Sequence, residues 1–432
     1  MGRDASPVST ADVWLYRPRF PEDWGPVALY DLASWANGMA FRSIHFSPSG
    51  RPIIKIAELK NGVTGQTAFS DAEYDDCYLV SPGDILFSWS GQPETSIDVF
   101  RWRGPEGWLN QHIFKVGARE DLCEPGFLYY LLRYLRPNFV AIARNKQTIG
   151  LGHVTVRDLQ HMEIGLPFRD VQRGIAHILG TLDDKIELNR RMNETLEQIA
   201  QAIFTSWFVD FDPVRAKAES RQPVGMNAAT AALFPDSFED LPLGKIPRGW
   251  ARARLGSVIE LAYGEGLREQ ERAAGNMPVF GSNGQVGWHD RALAKGPGII
   301  IGRKGNPGIV TWCSSDFFPI DTTFYVIPKA EGMSLRYLYH ALKQQDLPSL
   351  SADSVVPGLN RNLAYMNDIL TPSPQVLRAF DNQVLPLVKR VDHNDEESHT
   401  LAAIRDALLP KLVSGEIRVH STAALQGEQR DE

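Results

Sequence analysis

Asp31 stands upstream of Glu58-Leu-Lys60. Two carboxylates beside a lysine are what a Mg²⁺-dependent nuclease uses to hold its ion and offset charge on a phosphate. The spacing is loose, however. Lys55 and Lys60 flank Ile53-Ile-Lys-Ile-Ala-Glu-Leu59, which reads as a strand and accounts for the same residues structurally. Other catalytic signatures are missing. Lys304 lies among glycines but lacks the following Ser or Thr that completes a phosphate-cradling loop. No GxGxxG opens a βαβ unit, there is no HExxH, and the Asn/Asp-Pro-Pro-aromatic tetrapeptide of amino-methyltransferases is absent. The ten histidines show no metal spacing. Cys77, Cys123 and Cys313 are too far apart for a CxxC zinc site and read as small, reduced, half-buried residues.

Local charge points to a different chemistry. The chain carries a net charge of −7, which disfavours a protein that coats nucleic acid by itself. Yet Pro125–Arg157 holds five cations (Arg133, Arg136, Arg144, Lys146, Arg157) and no acid. Ala292–Ser315 holds Lys295, Arg303 and Lys304, and Gly332–Gln345 holds Arg336 and Lys343, again without an acid. Such runs are often plain solvated faces. Here Gly, Asn, Gln and Ser accompany the cations, a mixture that suits phosphates and base edges. Over Pro21–Phe168 there are 13 basic and 17 acidic residues, so any basic surface there is one-sided or shared with a partner.

The elements that would position these residues come twice. Phe20-Pro-Glu-Asp-Trp24 followed by Leu29 returns, 226 residues later, as Ile246-Pro-Arg-Gly-Trp250 followed by Leu255. The order of later features also repeats. Gly83–Gly91 is matched by Gly298–Gly305, and strand Gln111–Val116 by Thr322–Ile327. An apolar helix at Phe127–Leu135 is matched by Leu335–Leu342, and the step Gly150-Leu151 by Gly358-Leu359. A proline then precedes a long helix, at Pro167 and Pro374. Six features in one order make duplication the economical reading.

The long helices are the plainest elements. Val171, Ile175, Ile178, Leu182 and Ile186 step by three or four, resuming at Met192, Leu196, Ile199, Ile203 and Trp207. Phe380, Val384, Leu387, Val391, Leu401, Ile404, Leu408 and Leu412 do the same. These are coiled-coil seams, interrupted by Asn189 in one and by Asn394 and Ser398 in the other; polar seam residues fix register at a cost in stability. If helical throughout, residues 170–208 span roughly 58 Å, long for a core helix and suited to a spacer. Asp210–Gly249 reads as a connector with local helix near Ala228–Leu233.

Length and composition agree. At 432 residues, 43% hydrophobic and 22% charged, the chain is of the globular class with room for several cores. No apolar run approaches the roughly 18 residues of a membrane helix, and MGRDASPVST lacks the apolar centre of a signal peptide. A cytoplasmic protein is expected.

The sequence resembles the specificity subunit of type I restriction–modification enzymes. The likeness is carried by Leu182-Asp-Asp-Lys-Ile-Glu-Leu-Asn189, by Phe204-Thr-Ser-Trp-Phe-Val-Asp-Phe-Asp-Pro-Val-Arg-Ala-Lys217, by Leu243-Gly-Lys-Ile-Pro-Arg-Gly-Trp250 and by Gly150-Leu-Gly-His153. The second half departs from it, with Val355-Val-Pro-Gly-Leu359 in place of Gly-Leu-Gly-His and no Trp-Phe-Val-Asp ending on its helix. The resemblance implies an α+β protein: two mixed α/β target-recognition domains joined by two long antiparallel coiled-coil-like helices, with a pseudo-twofold internal repeat. The expected divisions are a tail 1–19, a first recognition domain 20–168, a first long helix 169–209, a connector 210–245, a second recognition domain 246–375, a second long helix 376–413 and a tail 414–432.

The resemblance further implies double-stranded DNA as ligand, read as a split asymmetric site. It implies two methyltransferase subunits and motor-nuclease subunits as partners. S-adenosylmethionine, ATP and Mg²⁺ would be on those partners, with none bound directly by this chain, and neither catalytic nor metal-ligating residues are expected in it. Arg42, Lys55, Ser90, Arg144, Lys146, Gln147, Arg303, Lys304, Asn306 and Arg361 are the expected DNA-facing residues. Ile178, Leu182, Leu196, Ile203, Trp207, Phe208, Val384, Val391, Leu401 and Leu408 are expected to pair the helices or meet partners. The alternatives are a self-sufficient Mg²⁺-dependent endonuclease using Asp31, Glu58 and Lys60, and a protein–protein scaffold with no DNA role.

Overall fold

The computed structural model describes residues 20–147, 150–241, 244–329, 332–350 and 358–419. The 1–19 tail, most of the 414–432 tail and Val355–Pro357 lie outside them. The chain divides into two compact units. One comprises residues up to Glu187 together with those from Glu397 onward, and the other runs from Leu188 to Glu396.

Both units are organised around the same sheet. In the first, the strands run in the order Ala33–Asn37, Ile113–Ala118, Ile85–Ser88, Asp98–Arg101, all antiparallel. In the second the order is Ile259–Tyr263, Thr323–Pro328, Gly298–Gly302, Val310–Cys313, again antiparallel. Alternation drives this pattern: Ile85 and Phe87 enter the main core, while Leu86 faces a smaller cluster on the other side. Ile299, Ile301 and Ile300 divide in the same way. Trp24 and Trp250 are buried, each just ahead of a strand, Gly25–Ala28 or Ala251–Arg254. That strand pairs with the last strand before the long helix, Glu163–Leu166 or Asp368–Thr371.

Register fixes the equivalences more tightly than sequence does. The pairing Ala33↔Ala118 returns as Ile259↔Pro328. The offset of 226 therefore shrinks to 210 across the loops between, where the units differ. The first inserts a four-stranded sheet and the second a three-stranded one. At the last strand Leu166 corresponds to Thr371, an offset of 205. That value corrects two expected matches. Pro167 corresponds to Pro372, not Pro374. Val154, fully buried, corresponds to buried Leu359, whereas Leu151 is exposed and has no such role.

The long helices are Arg169–Phe208 and Pro374–Val413, 40 residues each, and the offset of 205 holds along them. In the first unit Asp183 meets Arg405 and Lys185 meets Glu397. In the second Asn189 meets Asn394 and Asn193 meets Asp395. Each early residue of one helix faces a late residue of the other half, so the packing is antiparallel in both units. Residues 210–249 are not a loose connector. They form helix Asp212–Ala218, helix Ala228–Ala232 and a hairpin of Phe238–Leu241 with Gly244–Pro247. Val214, Phe234 and Ile246 are buried in the second core. Among the described residues no helix is long and apolar enough to cross a membrane.

Candidate nucleic-acid interface

In each unit the central strand of the sheet runs past its end and meets a returning segment. In the first unit Ser90-Gly91 pairs with Gly152-His153, and the Val154 amide donates to the Trp89 carbonyl at 2.9 Å. In the second, Lys304 pairs with Gly358, and the Leu359 amide donates to the Arg303 carbonyl at 2.8 Å. Ser90 and Lys304, both expected at the DNA face, therefore occupy one position of the repeat. A helix start follows each corner: Thr155 caps Val156–Gln160 and Asn360 caps Arg361–Met366.

The first corner is aromatic and polar. The Trp89 indole N–H donates to Asn37 Oδ1 at 3.0 Å, with Phe114 5.6 Å and His112 5.9 Å away between ring centres. The cations expected here are held by acids. Arg144 Nε donates to Glu94 Oε1 at 2.9 Å, and that hydrogen bond holds the Glu94 carboxyl below its usual range. Lys146 Nζ reaches both Asp158 oxygens at 2.6 Å. Burial alone would raise the Asp158 pKa, but hydrogen bonds from Lys146 and Thr155 outweigh it and the value is lowered. Arg136, at the start of the helix that ends beyond Arg144, pairs with Asp98 at 3.0 Å. Gln147 is exposed beyond the helix Arg136–Asn145.

Arg42 and Lys55 belong to a different part of the first unit. Arg42 is exposed, and its main-chain N–H donates to His45 Nδ1 at 2.8 Å. Lys55 Nζ lies 4.9 Å from the Phe46 ring centre.

The second corner is cationic. The Arg303 guanidinium lies 4.8 Å from the Tyr263 ring centre and donates to the Asp321 carbonyl at 3.0 Å. Arg361 lies 4.9 Å from the same ring. Lys304 is exposed. Asn306 is half-buried in a turn closed by Gly308 N–H to the Gly302 carbonyl, 2.8 Å. Gly302 is required there, because a Cβ would sit 2.1 Å from the Asn306 carbonyl oxygen. The structure thus brings Arg303, Lys304 and Arg361 together. Tyr263 and Trp89, at their centres, were not anticipated.

The nuclease constellation is not assembled. Glu58 is 6% exposed, and its carboxylate accepts from the Lys55 main-chain N–H and the Thr67 hydroxyl, both at 3.0 Å. It ties the start of helix Ile56–Asn61 to a loop. Of the expected strand Ile53–Leu59 only Ile53 and Ile54 are extended, at the end of Arg51–Ile54, and Ile56–Leu59 is helical. Asp31 is exposed in the turn Leu29–Leu32. Among the described residues no three His, Cys, Asp or Glu side chains group as metal ligands. Cys77 is exposed rather than half-buried, and burial pushes the Cys123 thiol up to about 12.

The helix seam holds most of its expected members. Trp207, Phe208 and Val384 are buried in the second core, beside Phe204 and Phe380. Leu182, Leu196, Ile203, Val391, Leu401 and Leu408 are half-buried. Ile178 is the exception: it is exposed, and Leu179 beside it is fully buried. Leu179 is the +205 counterpart of Val384, a signal the repeat itself contains.

The seam also hides a polar difference. In the first unit Asp183 Oδ1 accepts from Arg405 at 2.6 Å and Oδ2 from the Tyr130 hydroxyl at 2.7 Å. Their counterparts are Val388, Ala200 and His340, which line an apolar cleft of about 60 Å³.

Fold and seam define an internally duplicated protein, in which each α+β unit is completed by half of an antiparallel helix pair. Residues 21–198 match the family described as the type I restriction modification DNA specificity domain. The chain is 27% identical over 408 residues to the type I restriction enzyme HindI specificity subunit of Haemophilus influenzae, covering 78% of this chain and 87% of that one. It is 24% identical to the MjaIX specificity subunit of Methanocaldococcus jannaschii, covering 93% and 95%. The crystal structure of the type I system S subunit from M. genitalium shares the fold, with a TM-score of 0.50 at 19% identity, covering 90% and 96%. Over most of its length the chain is similar to type I restriction–modification specificity subunits.

Proposed function

We propose that this chain reads a bipartite, asymmetric DNA sequence, one half with each unit, and is itself non-catalytic. Two methyltransferase subunits, carrying S-adenosylmethionine, and motor-nuclease subunits, using ATP and Mg²⁺, supply the chemistry in a cytoplasmic complex. The observation that carries the reading is the duplicated sheet corner: the same strand end and returning segment recur with different side chains, Trp89 and Ser90 in one and Arg303 and Lys304 in the other. Identical frames with divergent tips suit two half-sites of different sequence. The two 40-residue helices, ~60 Å each, would set the number of unread base pairs, since DNA faces repeat about every 34–36 Å. Mapping of methylated adenines in cells that make this chain with its methyltransferase partner tests the reading. A motif split into two short halves supports it; a continuous motif refutes it.

A further inference from the structure

The corners differ in more than sequence. Three cations near the first corner are neutralised, Arg144 by Glu94, Lys146 by Asp158 and Arg136 by Asp98. The first corner itself offers a neutral indole, an amide and an imidazole. In the second corner Arg303, Lys304 and Arg361 have no carboxylate within ion-pair distance among the described residues. Arg303 and Arg361 both rest on Tyr263, itself 48% exposed. The ring orders two long side chains without cancelling their charge, so less side-chain entropy remains to be lost when an anion arrives. The register makes the contrast like for like. Arg303 stands where Trp89 does, Lys304 where Ser90 does, Tyr263 where Asn37 does, and Arg361 where Val156 does.

Resting on the DNA-reading function proposed above, we propose that Arg303 and Arg361, set on Tyr263, together with the exposed Lys304 next to Arg303 in the chain, are the phosphate grip of the second unit. The equivalent corner of the first unit makes uncharged contacts. The two corners then contribute unequally to electrostatic binding: the second anchors, and the first adds little to the salt dependence.

The test is equilibrium binding of the methylated-motif duplex from 50 to 200 mM salt, with the full chain assembled with its methyltransferase partner. Each phosphate contact contributes about −0.9 to the slope of log affinity against log salt. Lys304→Gln with Arg361→Gln should flatten the slope by about two, so that roughly tenfold less affinity is lost over that range, with the motif unchanged. Arg144→Gln with Lys146→Gln, which removes cations already paired, should leave the slope within about half a unit. Lys304→Gln alone, an exposed residue whose contacts are main-chain, covers the case in which the double variant misfolds; it should flatten the slope by about one. An unchanged slope in the Lys304 and Arg361 variants overturns the proposal, as does a changed motif with an unchanged slope, which would make these residues base readers. A wild-type complex that does not bind the duplex at all overturns the underlying reading as well.

Discussion

Asn189 and Asn394 occupy the same position of the repeat, 205 residues apart, and meet in the seam: the Asn189 side-chain amide donates to the Asn394 carbonyl at 3.3 Å, with both residues fully buried. Asn394 Nδ2 in turn donates to Asn193 Oδ1 at 2.7 Å. A polar pair at one place in an apolar seam penalises every other register, because a slip buries amides against hydrocarbon. Asn394→Ala is expected to destabilise by roughly 1–2 kcal/mol, through a lost hydrogen bond and a small void. Asn189→Leu with Asn394→Leu should recover thermal stability. Thermal unfolding of the three proteins measures both.

The polar triad Tyr130–Asp183–Arg405 gives a second prediction. Asp183 and Arg405 side chains are 7% and 14% exposed, and Arg405 also holds the exposed Asp406 at 2.8 Å, so removing Asp183 leaves Arg405 partly paired. Asp183→Val alone should cost about 1–3 kcal/mol. Adding Arg405→Ala and Tyr130→Phe copies the neutral chemistry of Val388 and Ala200 and should restore most of the loss. If the single variant melts like wild type, the triad is not the constraint described.

His340 gives a pH dependence. Burial, with Lys343 nearby, lowers its pKa to about 4 from an ordinary 6.5; Nδ1 lies 3.0 Å from Gln201 Oε1 and the ring stacks on Phe204. The folded value lies below the unfolded one. Its stabilisation is therefore complete above about pH 6.5 and is lost as pH falls towards about 4. The change is on the order of 3 kcal/mol. His340→Phe should flatten that part of the stability–pH profile relative to wild type, as followed by melting temperature.

For the endonuclease alternative, the purified chain with Mg²⁺ and plasmid should give no cleavage, because Glu58 is occupied in capping its helix. Nicking abolished by Glu58→Gln would reverse that conclusion.

Much of this architecture is legible in the sequence. The Pro-Trp-Leu recurrence announced a duplication, and the seam placed the first helix at 170–208 against Arg169–Phe208 observed. The errors have physical causes. Loops of unequal length reset the offset from 226 to 205, so matches counted from one end drifted, as with Pro374 and Leu151. Steps of three and four allow two phases of one helix, and Ile178 took the place of Leu179. The sheet corner was least legible. Arg303 and Lys304 stood out by charge, but Tyr263 lies 40 residues upstream and meets Arg303 only through strand pairing. Nor does local composition reveal that Glu94, 50 residues before Arg144, neutralises it.

The proposed function has the helix pair set the gap between the two half-motifs, with the chemistry supplied by partner subunits. Insertion of four residues, about one helical turn, beside Arg191, followed by genome-wide mapping of methylated adenines, tests it most directly. Both half-motifs should remain as in wild type with more unread base pairs between them. An unaltered gap between intact half-motifs would contradict the account.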